Sequence, residues 1–122
     1  MASKKFWLYL AVAYSICILI LSFINVDSFP EIGSDYDDKI FHTLAYTMLT
    51  LLWFIAGLQW RKLDIFRISL LVFGYGMIIE VFQGVFAAHR EFEINDQVAN
   101  LIGITLALPL FWLWKRLSVK KI

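Results

Sequence analysis

Four stretches of this chain hold almost no charge and are long enough to cross a lipid bilayer. They are Phe6–Ile24, Ile40–Leu58, Ile68–Phe86 and Gln97–Trp114, each of 18 or 19 residues. About 20 residues at a rise of about 1.5 Å span a hydrocarbon core of about 30 Å. Inside such a core every backbone N–H and C=O has to be satisfied by the segment itself, which selects helix. A membrane strand would alternate polar and apolar positions, and these runs do not. A soluble fold is a poor alternative, because 61% of the 122 residues are hydrophobic and a chain this short leaves much of its surface uncovered. The sequence therefore predicts one all-α integral membrane domain over 1–122, with spans of about 6–24, 40–58, 66–86 and 97–114. Their short connections predict a four-helix up-down bundle.

The charges between the runs set an orientation. Lys4, Lys5, Arg61, Lys62, Arg67, Lys115, Arg116, Lys120 and Lys121 fall on one side of the four-span arrangement, and only Lys39 and Arg90 on the other. Basic loops stay in the cytoplasm, so both termini and the 59–67 loop are predicted to be cytoplasmic, in a multi-pass protein of the cell (inner, cytoplasmic) membrane. The outer loops, 25–39 and 87–96, carry Asp27, Glu31, Asp35, Asp37, Asp38, Glu91, Glu93 and Asp96. All five tryptophans lie toward the cytoplasmic ends, as in one half of an aromatic belt. The first run begins on Lys4 and Lys5, yet no A-x-A-like cleavage site follows Ile24, so it reads as a retained span rather than a signal peptide. In the fourth run Pro109 lacks the amide that would bond Thr105, which predicts a kink or an early end. Asn95 and Asp96 ahead of that run are good N-caps. The single cysteine, Cys17, lies in an apolar run and reads as a small hydrophobe.

The polar residues at membrane depth are the informative ones. Glu80 stands about six residues short of the outer end of the third span, roughly 9 Å below the boundary. A carboxylate at membrane depth costs about 2.5–3.5 kcal/mol on insertion scales, so it should face the bundle interior or a wet cavity and have a partner. The second span enters with Asp38, Lys39, His42 and Tyr46; Lys39, His42 and Tyr46 share one helix face. The fourth enters with Asp96, Asn100 and Gly103 on one face, and the third carries Gly76, Glu80, Gln83 and Gly84. Three helices thus aim polar and small residues into the same outer third, beneath the loop containing His89 and Arg90. Taken singly, His42 reads as an interfacial residue, Asp96 as a cap and the glycines as close-packing sites. Together they predict a polar cavity near the outer side, lined by Lys39, His42, Glu80, Gln83, Arg90, Asp96 and Asn100.

This order of motifs resembles the VanZ-like family of small bacterial membrane proteins. The matching residues are Asp38-Lys39-x-x-His42 with Tyr46, then Glu80-x-x-Gln83, then Arg90 with its acidic followers, then Asp96-x-x-x-Asn100-x-x-Gly103. Leu21-Ser22 and the Pro30-containing loop are similar as well, so the likeness covers nearly the whole chain. The family is named for a protein that lowers susceptibility to the lipidated glycopeptide teicoplanin. The resemblance implies a cell-envelope protein with a role in antibiotic resistance; it names no reaction.

The expected function is binding of an amphiphile in the outer-leaflet pocket: a membrane lipid, a lipid-linked envelope intermediate or a glycopeptide-type antibiotic. Lys39, His42 and Arg90 would meet a phosphate or carboxylate, and Glu80, Gln83, Asp96 and Asn100 would meet hydroxyls and amides. The alternative is an enzyme acting on such an amphiphile, with Glu80 and His42 as an acid–base pair. No serine or cysteine stands in the polar layer to act as a nucleophile. A third expectation is a structural or assembly role, with oligomerisation open to it. His42, Glu80, His89 and Asp96 are candidate ligands for a metal, but two histidines without ligand spacing are a weak signal, so no metal and no cofactor are expected. No basic patch interleaves with solvent-facing aromatics, so nucleic acid is not an expected partner.

Overall fold

A computed structural model describes residues 4–23, 37–59, 64–86 and 94–120. All of its regular structure is α-helical: α1 (Lys4–Phe23), α2 (Asp37–Gln59), α3 (Ile65–Phe86) and α4 (Ile94–Lys120). Each contains a segment long and apolar enough to cross a membrane, namely Lys4–Phe23, Lys39–Gly57, Ile65–Gln83 and Ile94–Leu117. The apolar surface agrees with that reading. α1 buries only Ala11 and Ile18, while Tyr9, Ile16, Ile20 and Leu21 are exposed, as are Phe66, Leu71, Ile78 and Val85 on α3. A belt of this kind around a soluble domain would drive aggregation.

Two helix boundaries differ from expectation. α4 does not end at Pro109; it continues to Lys120. Proline costs one backbone bond, and the extended apolar face on both sides of it keeps the helix going. α4 also begins at Ile94, so Asp96 lies in its first turn and not at its cap. By contrast α3 has a carboxylate cap that the hydrophobicity pattern did not single out: Asp64 accepts a bond from the Arg67 backbone N–H at 2.7 Å.

The helices are joined by their polar side chains. Tyr75 Oη donates to the Ser15 carbonyl at 2.5 Å, and the Gln83 amide donates to the Ser22 carbonyl at 2.5 Å, so α1 and α3 advance together. Lys39 pairs with Asp96, His42 with Asn100 and Phe54 with Phe111, so α2 and α4 also advance together. Ala11 packs with Leu52 and Ala56, while Tyr14 Oη reaches the Ala45 carbonyl at 3.1 Å, so α1 and α2 run in opposite directions. Trp53 Nε1 donates to Ser15 Oγ at 2.9 Å. One end of the bundle is polar. The other is aromatic: Trp7 meets Trp114 edge-on at 5.9 Å and Phe111 stacks on Trp114, which brings the start of α1 beside the end of α4.

α2 is the hub, packed on all three other helices and most extensively on α4. That contact is close because α4 presents Ala99, Gly103 and Ala107, all buried, at four-residue spacing. A methyl group on Gly103 would stand 2.5 Å from the Thr43 carbonyl oxygen and 3.0 Å from the Thr47 nitrogen, both backbone atoms. Thr43 Oγ1 donates to the Lys39 carbonyl at 2.9 Å and lies 3.3 Å from the Ala99 carbonyl. Thr47 and Thr50 likewise bond back to Thr43 and Tyr46, leaving no hydroxyl of this row unmet.

Three glycines therefore respond differently to alanine. Gly103→Ala should destabilise the folded protein in detergent by about 1–3 kcal/mol, because backbone has to move to relieve the overlap. Gly76→Ala should cost about 1 kcal/mol, since the side chain it displaces is Asn100, 2.8 Å away, whose bond to His42 would break. Gly74→Ala meets nothing within 4 Å and should be neutral or gain up to about 1 kcal/mol of helix propensity. Denaturant titration of the three variants checks the ranking. A Gly103→Ala variant as stable as the parent would refute the close approach of α2 and α4.

Candidate functional site

At the polar end, four side chains from α2 and α4 form one connected group. Lys39 Nζ lies 2.5 Å from Asp96 Oδ1, on a carboxylate that is nearly enclosed while the lysine stays partly open. A carboxylate removed from solvent needs a cation or several donors, and Lys39 supplies the cation across the helix pair. Asn100 is 1% exposed, and its Oδ1 stands 3.2 Å from His42 Nδ1. The His42 ring donates to this oxygen in the tautomer that carries its proton on Nδ1. His42 Nε2 then lies 4.0 Å from Asp96 Oδ2, beyond a direct hydrogen bond. The His42 ring is parallel to Tyr46, with centroids 6.4 Å apart. Tyr46 and Asn100 both crowd Gly76, whose missing side chain lets α3 approach them.

The two α3 residues behave differently. Glu80 is buried, 4% exposed, turned away from the apolar outer surface of the bundle. Gln83 is buried too, but its amide turns to α1 and satisfies the Ser22 carbonyl, one of the last four carbonyls that the end of α1 leaves without an internal partner. The structure thus joins Lys39, His42, Asp96 and Asn100, buries Glu80, and gives Gln83 a bond to α1. Arg90 lies outside the described residues, as does His89. Among the described residues no group of three or more His, Cys, Asp or Glu side chains gathers closely enough to hold a metal ion.

One cavity borders this arrangement and another opens elsewhere in the bundle. On the outward flank of the α2–α4 pair a groove of about 630 Å³ has Lys39 and Asn95 at its mouth and Ile40, Leu44, Val98 and Ile102 along its walls. A second, almost wholly apolar, crevice of about 260 Å³ opens between α1, α2 and α3 beside Ser15, Trp53, Leu71 and Tyr75.

One buried residue was not anticipated. Gln97 opens the fourth apolar run in the sequence, yet it is 5% exposed and belongs to the polar layer. Its three-residue spacing from Asn100 puts both on one helix face, and that was the available signal.

The chain is 32% identical over 95 residues to an uncharacterized protein of the fission yeast Schizosaccharomyces pombe. The aligned region is 76% of this chain and 57% of the yeast protein, so the chain spans little more than half of that relative's length. No family profile matches the chain, and no solved structure matches it.

Proposed function

We propose that this is a multi-pass protein of the cell membrane, of the VanZ-like type, with both termini cytoplasmic and the polar end facing outward. There it binds an amphiphile: a membrane lipid, a lipid-linked envelope intermediate or an amphiphilic antibiotic. The observation that carries this reading is the α2–α4 groove, charged at its mouth and apolar along its length. Such a groove suits a molecule whose anionic head meets Lys39 while its chain lies against Ile40, Leu44, Val98 and Ile102. Lys39 is held in place by Asp96, Asp96 faces His42, and His42 is held by Asn100, so the head-group contact is preorganised rather than carried on a free side chain. The orientation rests on the nine basic residues of one side against two on the other. Amphiphile binding also supports the expected roles in the cell envelope and in antibiotic resistance.

The orientation has a direct test. Reporter fusions after residue 122 and within 59–67 should read as cytoplasmic, and a fusion within 25–39 as external. A C-terminal reporter active only outside would refute it.

Binding is tested by native mass spectrometry of lipids retained from mixed phosphatidylglycerol and phosphatidylcholine nanodiscs. The parent should retain phosphatidylglycerol preferentially. The double variant Lys39→Met/Asp96→Asn, which removes the cation without stranding a buried carboxylate, should lower that preference about tenfold, the loss of one charge-assisted bond. An unchanged preference would rule out the groove mouth as the head-group site.

Glu80→Gln separates binding from chemistry, because it keeps hydrogen-bonding capacity and removes the titratable proton. On a binding role it should retain phosphatidylglycerol within about fivefold of the parent, a loss on the order of 1 kcal/mol. Conversion of a retained amphiphile by the parent, slowed by about 10²-fold or more in Glu80→Gln, would show instead an enzyme using Glu80 as acid or base.

A further inference from the structure

The side-chain oxygen and nitrogen of Gln97 are both enclosed, and neither has a hydrogen-bond partner among the described residues. At membrane depth this arrangement is costly. Each unmet amide group there forfeits bonds that water would have supplied, and a glutamine brings one donor group and one acceptor. Apolar residues would be cheaper at this position unless the carboxamide has something to hold.

Its location defines what that can be. Asn100 and Ile104, three and seven residues on, are buried on the same flank of α4. Asn100 reaches the position where a Gly76 side chain would begin, so this flank faces α3. α3 advances toward the polar end while α4 descends from it. One turn beyond Gly76 is Glu80, and one turn before Asn100 is Gln97, so the two stand level. The groove described above opens on the other side of α4, along Asn95, Val98 and Ile102, and does not include Gln97.

We propose that Gln97 is a binding site for one neutral hydroxyl-type oxygen, held between α3 and α4 at the level of Glu80. The oxygen donates to Gln97 Oε1 or accepts from Nε2, and in place between the helices can serve both needs in turn or through its neighbours. An anion would leave Oε1 without a donor, and a cation would leave Nε2 without an acceptor; water and an alcohol offer both. Two sources share this chemistry. One is a trapped water, for which a polar, enclosed position among helices is the usual setting. The other is a hydroxyl of the bound head group, reaching over the first turn of α4. The second source rests on the amphiphile reading above; the first does not.

The test uses the full chain, labelled with ¹⁵N-glutamine, in phosphatidylcholine nanodiscs, whose lipid carries no hydroxyl. Gln59, Gln83 and Gln97 are its three glutamines, so the signal lost in Gln97→Met, or in Gln97→Glu should that variant not fold, assigns the residue. A cross-peak from the Gln97 amide protons to the water frequency is expected if water is the partner. A paired titration then compares phosphatidylglycerol with phosphatidylmethanol, which has the same charge and no hydroxyl. If the head group is the partner, the parent should favour phosphatidylglycerol by about tenfold, the value of one buried hydrogen bond, and Gln97→Met should bind the two equally. Amide protons that contact only protein protons, together with equal binding of the two lipids, would overturn the proposal and give Gln97 a partner within the chain. Failure of both lipids to bind would sink the amphiphile reading alone, and the water cross-peak would still decide this one.

Discussion

In helices apolar enough to cross a membrane, association cannot draw on the hydrophobic effect as it does in water, because lipid tails are as apolar as the side chains they would be exchanged for. Close packing and hydrogen bonds between helices have to hold the bundle instead. This constraint organises the whole structure. Ser15 illustrates it: its hydroxyl accepts from Trp53 on α2 and its carbonyl accepts from Tyr75 on α3, so one residue of α1 ties three helices together. Gln83 ties α3 to α1 at the polar end by meeting the Ser22 carbonyl. Each such bond also fixes the relative height of two helices, since a shift of one turn would strand both groups.

The α2–α4 pair uses the other half of that economy. Ala99, Gly103 and Ala107 let backbone approach backbone, and the Thr43 hydroxyl lies between its own helix and the Ala99 carbonyl. The consequence for function is positional. Because the two helices meet so closely near Gly103, the residues one and two turns above it have little freedom to move apart. Lys39 and Asp96 are brought within 2.5 Å, and His42 is set against Asn100. A packing contact made of the smallest residues in the helix thus sets the geometry of the charged group above it. The groove at the flank of the same pair carries that charge at its mouth, and the amphiphile reading grows from this juxtaposition.

Much of the fold was legible in the sequence because the signals were long. Runs of 18 or 19 apolar residues overlie all four helices, and local irregularities could not erase them. Short-range signals fared less well. Pro109 reads as a kink or an early end, and the early end does not occur: the helix continues past it, with both flanking segments apolar over several turns. Asp96 reads equally as a cap or as a partner, and only the start of α4 at Ile94 separates the two. Gln83 reads as one of a stripe with Glu80. Its bond to α1 depends on a carbonyl at the end of another helix, which no spacing within α3 could reveal. Gln97 shows the opposite failure: its position at the edge of an apolar run hid a buried polar group that only the packed bundle brings out.

The sequence by itself determined that the chain makes four helices of membrane-spanning length and that its polar residues gather toward one end. Both follow from one-dimensional properties, length and order along the chain, which survive any rotation of a helix about its axis. Which polar groups meet was decided only by the tertiary structure. Partnership depends on each helix's rotation and height, and those are set jointly by small-residue contacts and by hydrogen bonds reaching between helices. So Lys39 and Asp96, 57 residues apart, become one ion pair, Gln83 becomes a support for α1, and Gln97 is left enclosed with its amide unmet among the described residues.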